Sequence, residues 1–327
     1  MAVGLLGLTL SSCDNSFVFE DMPECVPEYR LRLSYDYNMA KTEAVSQVEA
    51  AEVYAFDEEG NFVTVSKADK QTLIDNDWTL PLDVERGHNY DLVVWAGLTE
   101  ESPFTLDGTR AVSTKEDLTC RLTTDTDENG RVISRKAMPH LFHASPVVGY
   151  TVENGVEEHT AKLIKNTNVF RIMIQMEDGS ELKVGDYDIE IIDANGVMSH
   201  QNEVSGEEIV YLPIDQNVSE PTEATEEAEA TPYILSADFN HARLMTGSDA
   251  RLKITESNSN IVVCDQPLIP MILSTKSEAA PGMDDQEYLD REDTYKITVY
   301  APLGEDWNHV SILINGWRVT LNEMEWN

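Results

Sequence analysis

The sequence predicts an all-β protein built of packed sandwiches, and three observations carry that reading. Apolar residues recur at every second position in many short runs, the period of a strand with one wet face. Turn signals of Gly and Asn separate those runs. Helical periodicity is confined to one short stretch. Many short strands with regular turns point to β-sandwiches rather than to a parallel sheet.

Taken in order, residues 30–37 (RLRLSYDY) set Leu31, Leu33, Tyr35 and Tyr37 against Arg30, Arg32, Ser34 and Asp36, a complete amphipathic strand. Val53 to Phe56 and Phe62 to Val65 flank DEEGN, a hairpin signal. Residues 68–76 (ADKQTLIDN) make the one fair helix, and 91–96 (DLVVWA) read as a buried strand. Later strands are expected at 170–176, 187–192, 209–213, 251–255, 261–264, 295–300 and 310–314, with turns at ENG, ANG and NG. The pattern falls into two similar halves with a break near His159. The first sandwich is expected over 30–159 and the second over 160–327.

Charge and composition narrow the function. The chain holds 60 acidic against 23 basic residues, a net charge of −37. Such a body repels nucleic-acid phosphates and anionic lipid surfaces, which excludes nucleic acid as a partner. Residues 219–232 (SEPTEATEEAEATP) carry no large apolar side chain and predict a mobile acidic loop in the second half.

No motif of a nucleophile elbow, zinc protease, P-loop or dinucleotide fold occurs, so no catalytic residue, metal site or cofactor is expected. Asp125, Asp127, Asn129 and Gly130 copy the first half of a calcium loop, but Lys136 stands where its bidentate Glu belongs, so DTDENG reads as a hairpin turn. His140 and His143 read as structural residues, because positions three apart on a strand face opposite ways. The five Trp residues read as core rather than as a sugar-stacking platform.

The N-terminus supplies an address. Residues 1–12 (MAVGLLGLTLSS) are too short to span a bilayer but fit the apolar stretch of a secretory signal. Leu10, Ser11, Ser12 and Cys13 resemble a bacterial lipobox, which implies cleavage between Ser12 and Cys13 and acylation of Cys13. The basic stretch that opens such a signal is missing, which fits a start inside a longer signal. Residues 13–29 then form a lipidated tether to a membrane. Three cysteines remain, in a compartment that permits disulfides. If a bond forms, Cys25 with Cys120 is the expected pair, since both precede the break.

The lipobox cysteine, EDMPEC at 20–25 and RLRLSYDYNM at 30–39 resemble the FimB-type family of minor fimbrial subunits from Bacteroides-lineage bacteria. VYAFDEEGNFV at 53–63, LIKNTNVFRIMIQ at 163–175, EYLDREDTYKITVY at 287–300 and ILINGWRV at 312–319 extend the likeness over most of the chain. HLFHAS departs from the family pattern. The resemblance implies two transthyretin-like β-sandwich domains and a non-enzymatic outer-membrane lipoprotein that holds a fimbrium. Its implied partners are a fimbrial stalk subunit, through strand exchange, and the outer membrane, through covalent lipid. The alternatives are a stalk or tip adhesin subunit and a surface glycan-binding lipoprotein.

Overall fold

The computed structural model describes residues 27–40, 45–107, 114–223, 231–301 and 311–319. Among the described residues strands take 50% and helices 11%, so the all-β expectation holds.

The strand Glu28–Ser34 runs through the middle of a three-stranded sheet. It lies parallel to Val156–Lys162 on one side and antiparallel to Thr79–Leu82 on the other. Its alternation buries Tyr29, Leu31 and Leu33 and turns Arg30 and Arg32 outward, but the strand ends at Ser34 rather than at 37, and Tyr37 is only half-buried. Arg32 donates to Glu158 of one neighbouring strand at 2.6 Å and to Asp77, in the turn that leads into the other, at 2.9 Å.

A second sheet faces this one, in the order Ile164–Lys165, Phe142–Ala144, His88–Ala96, Ala50–Phe56 and Phe62–Asp69, with Val147–Tyr150 also paired to His88–Ala96. Its two middle strands are buried on both faces. Val53, Ala55, Val94 and Ala96 pack into the first core with Leu31 and Leu33. The alternate residues Tyr54, Phe56, Val93 and Trp95 pack into a second, larger core. Double burial explains why Leu92 to Ala96 form an unbroken apolar run. This sheet is therefore a wall shared by two cores.

The larger core is closed by three more sheets. One orders Asp215–Ser219, Ile234–Ala242, Thr167–Met176, Thr294–Ala301, Ser311–Ile314 and Trp317–Val319. Another orders Ile261–Pro267, Arg251–Glu256, Tyr187–Asp193, Ile209–Tyr211, Val132–Ser134 and Asp125–Thr126. The third joins Phe104–Asp107 and Thr119–Leu122 to Val197–Met198 and Val204–Ser205.

Two expectations change here. Four strands between residues 104 and 134 pair, directly or through a neighbour, with strands of the second half, so a division at residue 159 does not describe the sheets. The expected helix is present as Lys70–Asp75, with Asp69 capping it by accepting from the Thr72 amide at 2.8 Å. It has company, however: Leu268–Leu273, Lys276–Ala279 and Asp285–Arg291 are also helical. The run LIPMIL is buried nearly throughout and so shows no helical stripe to read.

The LIKNTN segment carries a buried polar junction. Asn166 and Asn202 exchange amide hydrogen bonds at 2.6 and 3.0 Å, and Lys165 pairs with Asp293. Arg243 grips Asp290 with two bonds from one nitrogen, at 2.8 and 3.0 Å, and also donates to the Asn202 carbonyl. Buried charges survive only when so paired.

Candidate functional site: an open seam between two sheets

The strand Phe62–Asp69 is the last of its sheet. It pairs antiparallel with Ala50–Phe56 along its length and, among the described residues, with no strand on its other side. Thr79–Leu82 is the last strand of the facing sheet, paired only with Glu28–Ser34. The two edges lie on the same side of the sandwich, and a cavity of about 310 Å³ opens between them. Tyr29 and Leu82 from one sheet and Thr64 and Ser66 from the other line it. Thr64 and Ser66 stand opposite Ala55 and Val53 in the register, so hydroxyls occupy positions where the neighbouring strand places core side chains. On the outer face Val63 and Val65 remain 39% and 36% exposed.

Toward the Phe62 end the seam opens into a larger hollow of about 720 Å³, lined in part by Val63, Asp83, Val84 and Glu85. Asp57, Glu58 and Glu59 of the hairpin turn stand on its other bank. Asp57 is committed to the turn: it accepts from the Asn61 amide at 2.7 Å, and its bonds to Asn61 hold its carboxyl below the usual range. Glu58 accepts from Asn89 at 2.9 Å. The mouth thus sets Val63 and Val84 within a strongly negative rim.

Elsewhere the chemistry-bearing residues serve the fold. His143 is buried against the Trp95 ring at 4.6 Å, with Nε2 3.0 Å from the His200 carbonyl, and burial pushes its pKa down to about 3. His140 is exposed. Asp127 accepts from the amides of Asn129 and Arg131, both at 2.9 Å, so DTDENG forms the hairpin turn expected of it. Among the described residues no cluster of three His, Cys, Asp or Glu could hold a metal.

Ser248 donates to Asp193 Oδ1 at 2.6 Å, and Asp193 Oδ2 lies 3.8 Å from His241 Nε2. The carboxylate stands between serine and histidine, so this trio does not place a base on the hydroxyl. Trp95 is buried, Trp78 half-buried and Trp317 exposed, which leaves no stacking platform among the described residues; Trp307 and Trp326 lie outside them.

Ser12, Cys13 and Cys25 also lie outside the described residues. Cys120, the other half of the expected disulfide, is a buried free thiol whose pKa burial pushes up. Cys264 is likewise free and buried, its thiol pushed up to about 12. No helix is long and apolar enough to cross a membrane among the described residues.

Sequence reading marked Phe62 to Val65 as a strand but did not see that it is an edge. The hydroxyls of Thr64 and Ser66, half-buried at core-facing positions, are the available signal. It also missed the helix Asp285–Arg291, although Asp284 followed three residues later by Glu287 is a capping pattern, and Asp284 does accept from the Glu287 amide at 2.8 Å.

Comparisons place this architecture among known proteins. A crystal structure of a candidate adhesin from Bacteroides thetaiotaomicron is 26% identical, with a TM-score of 0.78 over 91% of this chain and 99% of that one. A candidate polysaccharide-binding protein from the same organism is also 26% identical, with a TM-score of 0.74 and the same coverage. The fimbrial anchor protein Mfa2 of Porphyromonas gingivalis shares the fold at 17% identity, with a TM-score of 0.66 over 90% of this chain and 99% of that one. No curated protein sequence matches the chain. The family model for fimbrillin-A associated anchor proteins Mfa1 and Mfa2 matches residues 22–323, nearly the whole length, and the chain belongs to that family.

Proposed function

We infer that this protein anchors a fimbrium at the cell surface as a non-enzymatic lipoprotein of the outer membrane. The single observation that carries the reading is the match to the anchor family over residues 22–323. Cys13 is the attachment point in this reading: acyl chains on its sulfur and amine hold the chain, each buried methylene contributing about 0.8 kcal/mol. A net charge of −37 makes attachment by charge alone unfavourable on an anionic surface, so the lipid has to supply it. The β body transmits load through hydrogen-bonded ladders, and the stalk subunit attaches by a strand contact.

The test is membrane fractionation and co-purification. Cys13→Ala is expected to move the protein from the outer-membrane pellet to the soluble fraction, and the membrane-extracted wild type is expected to co-purify with a fimbrial subunit. A Cys13→Ala protein that still pellets contradicts the lipid attachment. A wild type that purifies without any fimbrial subunit contradicts the anchor role.

A further inference from the structure

We propose that the open seam between Phe62–Asp69 and Thr79–Leu82 receives an extended, basic strand from a partner protein, which adds to the Phe62–Asp69 edge while Glu28–Ser34 stays in place. This deepens the reading above and rests on it, since it names the surface on which the stalk contact is made and the chemistry of the segment that makes it.

Three features of the seam specify that occupant. The first is the edge itself: beyond the bridge of Asn61 to Thr114 at its start, the eight residues of Phe62–Asp69 have, among the described residues, no strand on the side away from Ala50–Phe56. Such an edge is a template for β-addition unless it is guarded. The only positive charge on this strand is Lys67, and it is engaged with Glu52 at 2.7 Å.

The second is the gap behind the edge. The cavity of about 310 Å³ lies between sheets, where an added strand would point every second side chain. Tyr29, Leu82, Thr64 and Ser66 line it together with the acidic Glu28 and Asp83, so it suits small side chains, polar as well as apolar.

The third is charge. Glu59, Asp83 and Glu85 are exposed around the hollow at the Phe62 end, and none of them makes an ion pair among the described residues. An incoming segment must therefore alternate apolar residues with Lys or Arg. A second copy of this chain is the wrong occupant, because it would bring the same acidic rim and a net charge of −37 to the same place. A helix fits poorly, because the seam offers backbone hydrogen bonds that a helix cannot take.

The probe is a synthetic peptide of about ten residues, the length of a long strand, alternating Val and Lys; a Val/Glu peptide of the same length is the control. Hydrogen exchange of the full chain is followed segment by segment. The Val/Lys peptide is expected to slow exchange at residues 62–69 by about tenfold or more, the Val/Glu peptide to leave it unchanged. The variant Glu59→Lys/Asp83→Lys/Glu85→Lys is expected to weaken binding by about tenfold or more, with exchange at 28–34 unchanged to show that the fold is intact. Raising salt from about 50 to about 500 mM, which shortens the screening length severalfold, is expected to weaken wild-type binding in the same direction.

Protection that falls instead on the Ile261–Pro267 edge, spreads over the acidic surface, or is equal for both peptides overturns the proposal. A failure there, together with Cys13-dependent co-purification of a fimbrial subunit, leaves the anchor role standing and removes only this edge. Loss of co-purification removes the anchor role itself.

Discussion

Glu28–Ser34 and Phe62–Asp69 are strands of similar length and similar alternation, and they meet opposite fates. In the first, Leu31 and Leu33 are 0% and 2% exposed, with a hydrogen-bonded neighbour on each side. In the second, Val63 and Val65 are 39% and 36% exposed, with a neighbouring strand on one side only among the described residues. The difference lies in what surrounds them. A strand in the middle of a sheet is held by two ladders and a core, whereas an edge strand keeps half its backbone groups available. In the proposed anchor role the two are complementary: one strand stays, and the other is the proposed acceptor.

The largest way to break that comparison is to empty the core behind the first strand. Leu33→Ala is expected to cost about 2–5 kcal/mol, the range for a fully buried leucine, read as a fall in the denaturant midpoint. A loss below about 0.5 kcal/mol would show that Glu28–Ser34 is not held as described.

The next effect tests the wall that ends in the open edge. His143 sits on the far side of that sheet with its pKa pushed by burial from 6.5 to about 3. The unfolded chain therefore takes up a proton near pH 6.5 that the folded chain refuses until about pH 3, and stability falls as pH drops through that window. The expected slope from this residue is about 1.4 kcal/mol per pH unit, so melting at pH 5.5 comes earlier than at pH 7.5. His143→Asn should flatten that slope. The carboxyls of Glu28, Asp127 and Glu157 are held below their usual range, so their contribution is lost only at lower pH.

These strands also show how much of the molecule was legible. The alternation of RLRLSYDY fixed a strand with Leu31 and Leu33 inside, and DLVVWA, doubly buried from Leu92 to Ala96, was recognisable as a buried strand. Register and partner were not. Val156–Lys162 lies where a boundary was expected, yet it runs parallel to Glu28–Ser34, a pairing between residues some 130 positions apart that no local pattern encodes. The same holds for Thr119–Leu122, whose partner Val197–Met198 belongs to the other half of the sequence. The acidic segment 219–232 was expected from composition to be a mobile loop. Its described ends meet in a bridge between Thr222 and Thr231, and residues 224–230 lie outside the described part. The seam was the least legible, because it is formed by what two sheets leave uncovered rather than by any residue type.

Two smaller effects sharpen the comparison. Arg32 bonds both Asp77 and Glu158, but the network is open to solvent, so Arg32→Ala is expected to cost no more than about 1 kcal/mol. Calorimetry at high salt should shrink that difference further. Val65→Thr on the open edge is expected to change stability by less than about 0.5 kcal/mol, since the side chain is exposed and the strand's only ladder is untouched. A larger drop in the denaturant midpoint would mean that the edge is already covered in the folded chain.

The central proposal is that this protein keeps its first strand while it binds a fimbrial partner. Arg30 and Arg32 are sites a trypsin-like protease could cut, but they lie in a strand bonded on both sides, and the Tyr150 hydroxyl also donates to the Arg30 carbonyl at 3.0 Å. N-terminal mass spectrometry of the protein taken from cells tests this most directly. The account predicts a mature chain that begins at an acylated Cys13 and still contains Glu28–Ser34. A mature chain that begins after Arg32 would contradict it, because the strand would then have been given up and its place left to a neighbour.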